Sequence, residues 1–203
     1  MQKSATRAPE DTRRRILKAA FGEFYHTGFQ GGSLNHIVDQ AGTTKGALFH
    51  HFKDKHDLGY AVVEEIIQPR IKGAWCDPLA ESIDPITDVK RAVRQFVKEE
   101  QENGHWVQGC PLNNLAQEMS PLDEGFHARI NRLYELWRER YAAALARGIQ
   151  AGTVRTSVEP KHVAALIVAA QMGIWGTGKS SRNPGVMRQA ADGACDYLAS
   201  LRP

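Results

Sequence analysis

The sequence predicts an all-α protein, and three observations support this fold class. Apolar residues recur every three or four positions along almost all of the 203 residues, which is the period of an amphipathic helix. No segment alternates apolar and polar residues with the period of two that a half-buried strand requires. Residues that start or stop helices separate the periodic segments, as at Asp84-Pro85 and Gly152.

The first helix is predicted from apolar residues that share one face: Ile16, Leu17, Ala20, Phe21 and Phe24. About ten residues precede this helix, and they include no apolar stretch. We therefore expect this N-terminal segment to be disordered rather than to form a secretory signal.

Residues 33–58 are predicted to form two short helices separated by a tight turn. The first of these two short helices has an apolar face, formed by Leu34, Ile37, Val38 and Ala41. Ser33 is suited to cap the start of this helix, and Gly42 gives the backbone the freedom to end it. Two short helices joined in this way are typical of a helix-turn-helix, whose second helix enters the major groove of DNA.

The second helix of this motif is predicted to have an inward and an outward face. Thr44 can cap its start. Leu48 and Phe52 lie four residues apart, so both are expected to point inward. The residues left free to face a partner are then Lys45, Phe49, His50 and the threonines.

The chain resembles the DNA-binding domain of the TetR family of bacterial transcriptional repressors. The similarity covers residues 12–20, 24–29 and 33–58. Members of the family usually have tyrosine where this chain has Phe49, whereas His50 and Lys55 match the family pattern. Lys55 starts the next helix, where a cation and free N–H groups can together hold a phosphate. The resemblance implies that double-stranded DNA is the partner and that the contact residues are Ser33, Thr43, Thr44, Lys45, Gly46, Phe49, His50 and Lys55.

The formal net charge of +3 is confined to the segment with this resemblance. Residues 1–57 contain nine Lys and Arg, six Asp and Glu, and five of the eight His, whereas residues 58–203 contain 17 residues of each charge. A solvated basic surface is the alternative explanation, but the adjacent helix-turn-helix favours DNA binding. The sequence therefore predicts a DNA-binding domain over residues 1–57 and a helical effector-binding and dimerisation domain over residues 58–203.

Further helices are predicted in the second domain. A fourth helix continues from Leu58, and Pro69 is expected to kink or interrupt it. Prolines begin three later segments, which are predicted as helices over about 85–103, 111–119 and 121–150. The last of these would have Leu122 as the first residue of its apolar face.

The last two helices, predicted over about residues 160–175 and 184–201, are rich in alanine and glycine. Ordinary packing within one chain is one explanation for these small residues. The family resemblance implies another, a four-helix interface between two copies of the chain. A symmetric dimer would hold two reading helices about 34 Å apart, as successive major grooves of a palindromic operator require.

Residues 107–126 resemble a Gly-Cys block in the effector domains of one TetR subgroup, some of whose members respond to electrophiles or oxidants through the cysteine. Pro111 suits the first position of a helix, which would place Cys110 at the cap, where N–H groups and the helix dipole favour a thiolate. The same resemblance suggests Lys179, expected in the loop after the penultimate helix, as a nearby cation. The alternative is that Cys110 is a small buried apolar residue.

Aromatic, amide and imidazole side chains in the second domain favour an apolar pocket for a small molecule. Core packing is the alternative for each of them. Asn113 and Asn114 are the better candidates, because buried amides need hydrogen-bond partners. The full set of candidate effector or sensor residues is His105, Trp106, Cys110, Asn113, Asn114, Tyr134, Trp137, Gln171, Met172, Trp175 and Lys179.

Several other classes of protein are disfavoured by the sequence. Three widely separated cysteines suit a reducing compartment, so a cytoplasmic location is expected. The longest uncharged run, residues 163–178, is shorter than the ~20 residues of a membrane span. The chain has no Gly-x-Ser-x-Gly, no phosphate-binding glycine loop and no His-Glu-x-x-His, and its clustered histidines, His50, His51 and His56, do not share a helix face. We therefore expect no enzyme, no metal site and no cofactor.

Together these features predict a cytoplasmic, homodimeric, one-component transcriptional regulator. The preferred hypothesis is a repressor that a small-molecule or electrophile effector releases from its operator. One alternative is a TetR-like activator. The alternative from a different class is a helical enzyme or scaffold without specific DNA binding.

Overall fold

A computed structural model describes residues 7–203, apart from the side chains of Arg7, Ala8 and His105. Most of this range is helical and none of it is β-strand, which confirms the all-α prediction. The expected disorder at the N-terminus falls largely on residues 1–6, which lie outside the described residues. For residues 7–10 that prediction was wrong, because they already belong to the first helix.

The helices, numbered in chain order, are α1 Arg7–Gly31, α2 Leu34–Gln40, α3 Lys45–His51, α4 Lys55–Val62, α5 Pro85–Asn103, α6 Pro111–Met119, α7 Glu124–Gln150, α8 Pro160–Ser181 and α9 Pro184–Ala199. After α4 the chain remains helical as far as Leu79. The successive segments are π-helical Val63–Ile67, the α-helical turn Gln68–Ile71, π-helical Lys72–Cys76 and 3-10 helical Asp77–Leu79. A second 3-10 turn, His105–Val107, precedes α6.

The described residues form two compact units. The first unit comprises the chain up to Pro69 together with residues 114–130, and the second comprises residues 70–113 and 131–203. Residues that are distant in the sequence therefore meet within the first unit. The division into domains at residues 57 and 58 stays a prediction.

The helix-turn-helix of the first unit has the caps and turn that the sequence predicts. The Ser33 Oγ accepts the His36 N–H at 3.4 Å, and the Thr44 Oγ1 accepts the Ala47 N–H at 3.1 Å. Gly42 adopts a φ of 58°, a left-handed conformation that costs little without a Cβ atom. The first helix of the motif therefore ends at a turn that favours glycine.

The core of the first unit includes a close approach between α4 and two aromatic rings. A Cβ atom at Gly59 would lie 2.6 Å from the Phe126 ring and 2.7 Å from the Phe29 ring. The centroids of these two rings are themselves 4.7 Å apart, in an edge-to-face arrangement. Glycine at this position therefore lets α4 pack directly on the aromatic pair.

The helical run beyond α4 passes Pro69 without ending. The Gln68 N–H bonds the carbonyl of Val63, five residues earlier, which is a π-helical hydrogen bond. Pro69 has no N–H to donate, so a change of hydrogen-bond register next to it accommodates the proline. The expected interruption is therefore a change of helix type.

Two predicted helix boundaries were wrong. The long helix α7 begins at Glu124 rather than Pro121, because the Asp123 carboxylate accepts the Phe126 N–H at 2.8 Å and caps the helix there. Leu122 consequently lies before the helix and is 62% exposed. The penultimate helix, α8, continues past Trp175 to Ser181, and Lys179 lies in its last turn rather than in a loop.

No helix in the described part of the chain is both long enough and apolar enough to cross a membrane. Likewise, the side chains described here include no group of three or more His, Cys, Asp and Glu that is arranged to hold a metal ion.

Candidate DNA-binding surface and effector domain

The outward face of α3 carries the side chains that the sequence assigned to DNA contact. Lys45, Gly46 and His50 are exposed, and half of the Phe49 surface is accessible to solvent. On the opposite side of the helix, Leu48 is completely buried. A cation, an imidazole and an aromatic ring are therefore presented together on a short helix whose inner face is anchored in the core.

The three hydroxyl residues of the predicted set lie at the ends of the helices. Ser33 and Thr44 use their side-chain oxygens as caps, and Thr43 is partly buried in the turn, where its N–H bonds the carbonyl of Val38. The Ser33 N–H also donates to the Glu23 Oε1 at 2.8 Å. Ser33 and Thr44 therefore fix the geometry at the starts of α2 and α3. Of the three hydroxyl residues, only Thr44 is exposed to solvent.

Arg15 holds the turn of the helix-turn-helix, a role that sequence reasoning missed. Its Nη1 donates to the carbonyls of Ala41 at 2.7 Å and Gly42 at 3.2 Å. These are carbonyls at the end of α2, where partners within the helix run out. The signal in the sequence was the run Arg13-Arg14-Arg15, but periodicity does not reveal which arginine points inward.

Arg13 connects α1 to two other parts of the first unit. Its guanidinium forms an ion pair with Glu65 through two hydrogen bonds, and it lies 5.0 Å from the centroid of the Phe52 ring. The hydrogen bond between the two side chains raises the pKa of Arg13 and lowers that of Glu65. The end of α3 and the π-helical segment after α4 therefore both contact Arg13.

Lys55 is more constrained than the sequence suggested. Its Nζ donates to the Gln30 carbonyl at 3.1 Å and lies 5.0 Å from the centroid of the Phe29 ring. Burial lowers the pKa of Lys55, while the carboxylates of Glu118 and Glu23 act in the opposite direction. An ammonium has three N–H donors, so one bond to Gln30 leaves two for a phosphate.

Glu118, at the end of α6, binds the backbone beside Lys55, and it is a second residue that sequence reasoning missed. Its carboxylate accepts the N–H groups of Phe29 and Gln30, each at 2.8 Å. These groups follow Gly28, whose φ of 78° and ψ of 167° interrupt α1. Consecutive N–H groups after such a residue form a concave site for an anion. Glu118 thus joins α6 to the turn after Gly28. The Gln30 carbonyl of this turn binds the Lys55 ammonium.

Tyr60 and Asp123 join α4 to the start of α7 in the same unit. The Tyr60 hydroxyl donates to the Asp123 Oδ1 at 2.7 Å. Burial, together with this hydrogen bond, raises the pKa of Tyr60 to about 12. The hydroxyl therefore remains a neutral donor at physiological pH.

In the second unit, the structure brings several predicted effector residues together around Tyr134. The Tyr134 hydroxyl lies 3.5 Å from the Asn113 Oδ1 and 3.4 Å from the Met172 sulfur, and both are hydrogen-bond acceptors. Its ring is nearly parallel to that of Trp137, with centroids 6.5 Å apart. Desolvation raises the pKa of Tyr134.

A second polar group lies next to the same tryptophan. Gln171 is 3% exposed, and its Nε2 donates to the Tyr141 hydroxyl at 3.1 Å. The Gln171 Oε1 is buried and has no hydrogen-bond partner among the residues that the structure describes. Such an acceptor can bind a donor that a ligand supplies.

Aromatic rings that were not in the predicted set complete this cluster. The Trp75 centroid lies 5.8 Å from that of Trp137, and Phe96 contacts the predicted residue Trp175 at 4.6 Å. Trp75 was missed because it lies beyond Pro69, where the helical periodicity changes.

The structure describes the positions of three other predicted effector residues. Asn114 belongs to the first unit, Trp106 is partly buried in the 3-10 turn, and Lys179 is exposed. The side chain of His105 lies outside the described part of the structure.

Cys110 occupies the predicted position at the start of α6, and its surroundings favour the thiol over the thiolate. Its sulfur accepts backbone N–H groups of Leu112 and Asn113, which lower its pKa. Burial has the larger effect and raises the pKa of Cys110 to about 11, and the nearby charge is the Glu100 carboxylate, which also raises it. With 4% of its surface exposed, Cys110 is better explained as a core residue.

Alkylation kinetics test this assignment. Because the thiolate is the nucleophile, a pKa of about 11 leaves about one thiol in 10,000 ionised at pH 7. We expect Cys110 in the folded protein to react with iodoacetamide at least tenfold more slowly than in the urea-unfolded chain, as measured by mass spectrometry of the Cys110 peptide. Reaction at pH 7 as fast as in the unfolded chain would instead support the sensor hypothesis.

Comparisons with known proteins agree with this architecture. The sequence profile "Bacterial regulatory proteins, tetR family" matches residues 16–62. A second profile, "Tetracyclin repressor-like, C-terminal domain", matches residues 86–194, more than half of the chain. The HTH-type transcriptional repressor DhaR of Mycobacterium sp. (strain GP1) is 24% identical over 174 residues, which cover 84% of each protein. The HTH-type transcriptional regulator LmrA of Bacillus subtilis is 29% identical over 139 residues, 66% of this chain and 71% of that protein.

Solved structures share the fold at low sequence identity. A TetR transcriptional regulator from Chloroflexus aurantiacus has a TM-score of 0.83 and 21% identity, and the match covers 95% of this chain and 96% of that one. The reduced form of NemR from E. coli has a TM-score of 0.77 and 22% identity, with 91% and 95% coverage. Because the two sequence profiles match both the helix-turn-helix and the C-terminal helices, this chain belongs to the TetR family and is a DNA-binding transcriptional regulator.

Proposed function

We propose that this regulator is a cytoplasmic repressor that binds a palindromic operator as a homodimer and is released from it by a small-molecule effector. The observation that carries the proposal is the outward face of α3, where Lys45, Phe49 and His50 are exposed above a buried anchor. TetR-family regulators bind DNA operators, dimerise and bind small-molecule effectors. The relatives of this chain are transcriptional regulators, which implies a non-enzymatic role.

The dimer is proposed to form through α8 and α9. Leu166 on α8 is 50% exposed and Tyr197 on α9 is 37% exposed, and small exposed residues such as Ala169 and Gly193 lie near them in the sequence. Large apolar side chains that remain accessible next to small ones favour close packing with a second copy. A dimer of this kind would repeat the reading helix with the symmetry of a palindrome.

The effector is proposed to act by a two-state mechanism in the second domain. The candidate contacts are Asn113, Tyr134 and Gln171, where polar groups lie against aromatic rings. An effector lowers the affinity for DNA only through its preference for the conformer whose reading helices are wrongly spaced, which commonly amounts to ~1–3 kcal/mol of coupling.

DNA selected by the protein from a random pool tests the proposed function. We expect enrichment of a palindrome and specific binding that weakens steeply with salt, and we expect sedimentation to show a dimer at the same concentrations. Transcription from a promoter that contains the selected site should fall when the protein is added. A rise in transcription would identify an activator, and a failure to enrich any sequence would contradict specific DNA binding.

Lys55 is proposed to contact a phosphate rather than a base. In a Lys55→Ala variant we expect weaker binding to the selected operator and to a scrambled duplex alike, because a phosphate contact carries no sequence information. A plot of the logarithm of affinity against the logarithm of salt concentration should also become less steep, by about one for each lost contact. A change in base preference, measured by repeating the selection, would contradict this role.

A further inference from the structure

A basic groove lies on α5 in the second unit and is not part of the proposed DNA or effector contacts. Its volume is about 490 Å³, and five of the side chains that line it are cationic: Lys90, Arg91, Arg94, Lys98 and Arg202. The two other lining residues are uncharged. The groove therefore concentrates positive charge in a predicted domain whose residues carry no net charge as a whole.

The spacing of the cations places them on one side of α5. Lys90, Arg94 and Lys98 are four residues apart, so they follow one another along a helix face. A neighbouring face of the helix is apolar and buried, with Val89, Val93 and Val97 being 4%, 3% and 6% exposed. Like charges four residues apart destabilise a helix, so folding stability alone does not favour this arrangement. Binding of an anion would offset the repulsion.

Two of the five cations have no hydrogen-bond or ion-pair partner among the described residues. Arg91 pairs with Asp88 at 2.5 Å, and Lys98 lies 3.9 Å from Glu102. Lys90 and Arg94, in contrast, make neither a hydrogen bond nor an ion pair with any side chain or backbone group described between residues 7 and 203. They are therefore available to an external anion.

Arg202 lines the groove from outside α5, and its position is fixed by several hydrogen bonds. Its Nη2 donates to both carboxylate oxygens of Asp84, at 3.0 and 2.9 Å, and lies 2.7 Å from the Thr87 Oγ1. A cation that is already held in place loses less conformational entropy when a ligand binds. The groove thus combines two unpaired cations with one that is positioned in advance.

We propose that this groove binds a small molecule that carries two or more phosphate groups. Phosphate oxygens accept paired hydrogen bonds from a guanidinium, and their multiple charge matches the clustered cations. The volume falls within the ~300–1,000 Å³ of small-molecule sites. Acidic residues precede and follow the basic stretch of α5, with Asp84 and Asp88 at one end and Glu99 and Glu102 at the other. They favour a compact anion over a long nucleic-acid backbone, because they would repel its further phosphates.

Calorimetric titration of the full chain with sodium pyrophosphate at constant ionic strength tests this site. We expect one pyrophosphate per chain, and at least about tenfold weaker binding by the double variant Lys90→Gln/Arg94→Gln, which loses two charge-assisted hydrogen bonds. The matched control is Lys161→Gln/Arg182→Gln, which removes two exposed cations outside the groove and should bind within about twofold of the parent. Thermal unfolding of both variants checks that each is folded.

Three results would overturn the proposal. The first is that the parent protein binds no pyrophosphate, and the second is that both double variants lose affinity equally, which would indicate a general charge effect. Displacement of pyrophosphate by a duplex that lacks the operator, with the loss again depending on Lys90 and Arg94, would assign the groove to nucleic acid instead.

Discussion

The double variant Lys45→Ala/Phe49→Ala is expected to bind the operator about 1,000-fold more weakly than the parent. Both side chains extend from the exposed face of α3, so their removal deletes the proposed contacts with DNA and leaves the buried anchor Leu48 in place. A good base contact provides ~1–3 kcal/mol, and a dimer would lose each contact twice. At ~1 kcal/mol for each of the four contacts, the total loss is about 4 kcal/mol, which corresponds to about 1,000-fold in affinity.

Fluorescence anisotropy with the selected operator, at one fixed salt concentration, measures this loss. Lys161→Ala is the matched control, because it removes an exposed lysine that lies far from α3 in the sequence. We expect its operator affinity and the thermal stability of both variants to stay close to those of the parent. Unchanged operator binding by Lys45→Ala/Phe49→Ala would show that α3 is not the reading helix, and the proposed function would then need another DNA-binding surface.

Replacing Glu118 with alanine is expected to destabilise the first unit by ~2–4 kcal/mol and to weaken operator binding. The substitution leaves the N–H groups of Phe29 and Gln30 without their acceptor, and Phe29 is only 3% exposed. Loss of a hydrogen bond to a charged group costs ~1.5–3 kcal/mol, with a smaller cost for the exposed Gln30 amide. Since the Gln30 carbonyl binds Lys55, a shift of this turn would also displace a proposed phosphate contact.

Urea denaturation and operator titration together distinguish a local role for Glu118 from a role in DNA binding. Glu118→Gln retains a single carbonyl acceptor, so its free energy of unfolding should lie between those of the parent and Glu118→Ala. Glu139→Ala removes an exposed carboxylate from α7 and serves as the control. Equal stability of Glu118→Ala and the control would mean that the carboxylate does not hold the turn.

We propose that Glu118 takes part in the coupling between effector binding and DNA binding. The helix α6 carries Asn113, a candidate effector contact, and ends in the turn of helix that presents Glu118 to the end of α1. A ligand that moves α6 would therefore change the hydrogen bonds of Phe29 and Gln30. We expect Glu118→Ala to reduce the difference in operator affinity between the effector-bound and effector-free protein.

The sequence predicted the helix-turn-helix closely because its geometry depends on local interactions. The caps Ser33 and Thr44 bond N–H groups three residues later, and Gly42 needs only its own backbone freedom to end α2. Periodicity alone likewise separated the buried Leu48 from the exposed Phe49. Interactions within a few residues of one another are visible in a sequence, since spacing determines them.

Contacts between distant residues were not visible in the same way. Glu118 and Phe29 are 89 positions apart, and Arg13 and Glu65 are 52 positions apart, so no spacing rule connects them. The start of α7 was misplaced for a related reason, because a proline and an aspartate both suit a helix start and the Asp123 cap is the one formed.

By itself, then, the amino-acid sequence determined the all-α class, the helix α3 and the residues it exposes, all of which follow from helical period and capping. Only the tertiary structure decided that burial outweighs the helix-start position in keeping Cys110 protonated, and that Glu118 rather than solvent satisfies the backbone beside Lys55. Desolvation and long-range hydrogen bonding depend on which atoms surround a group, and those neighbours are defined when the chain folds.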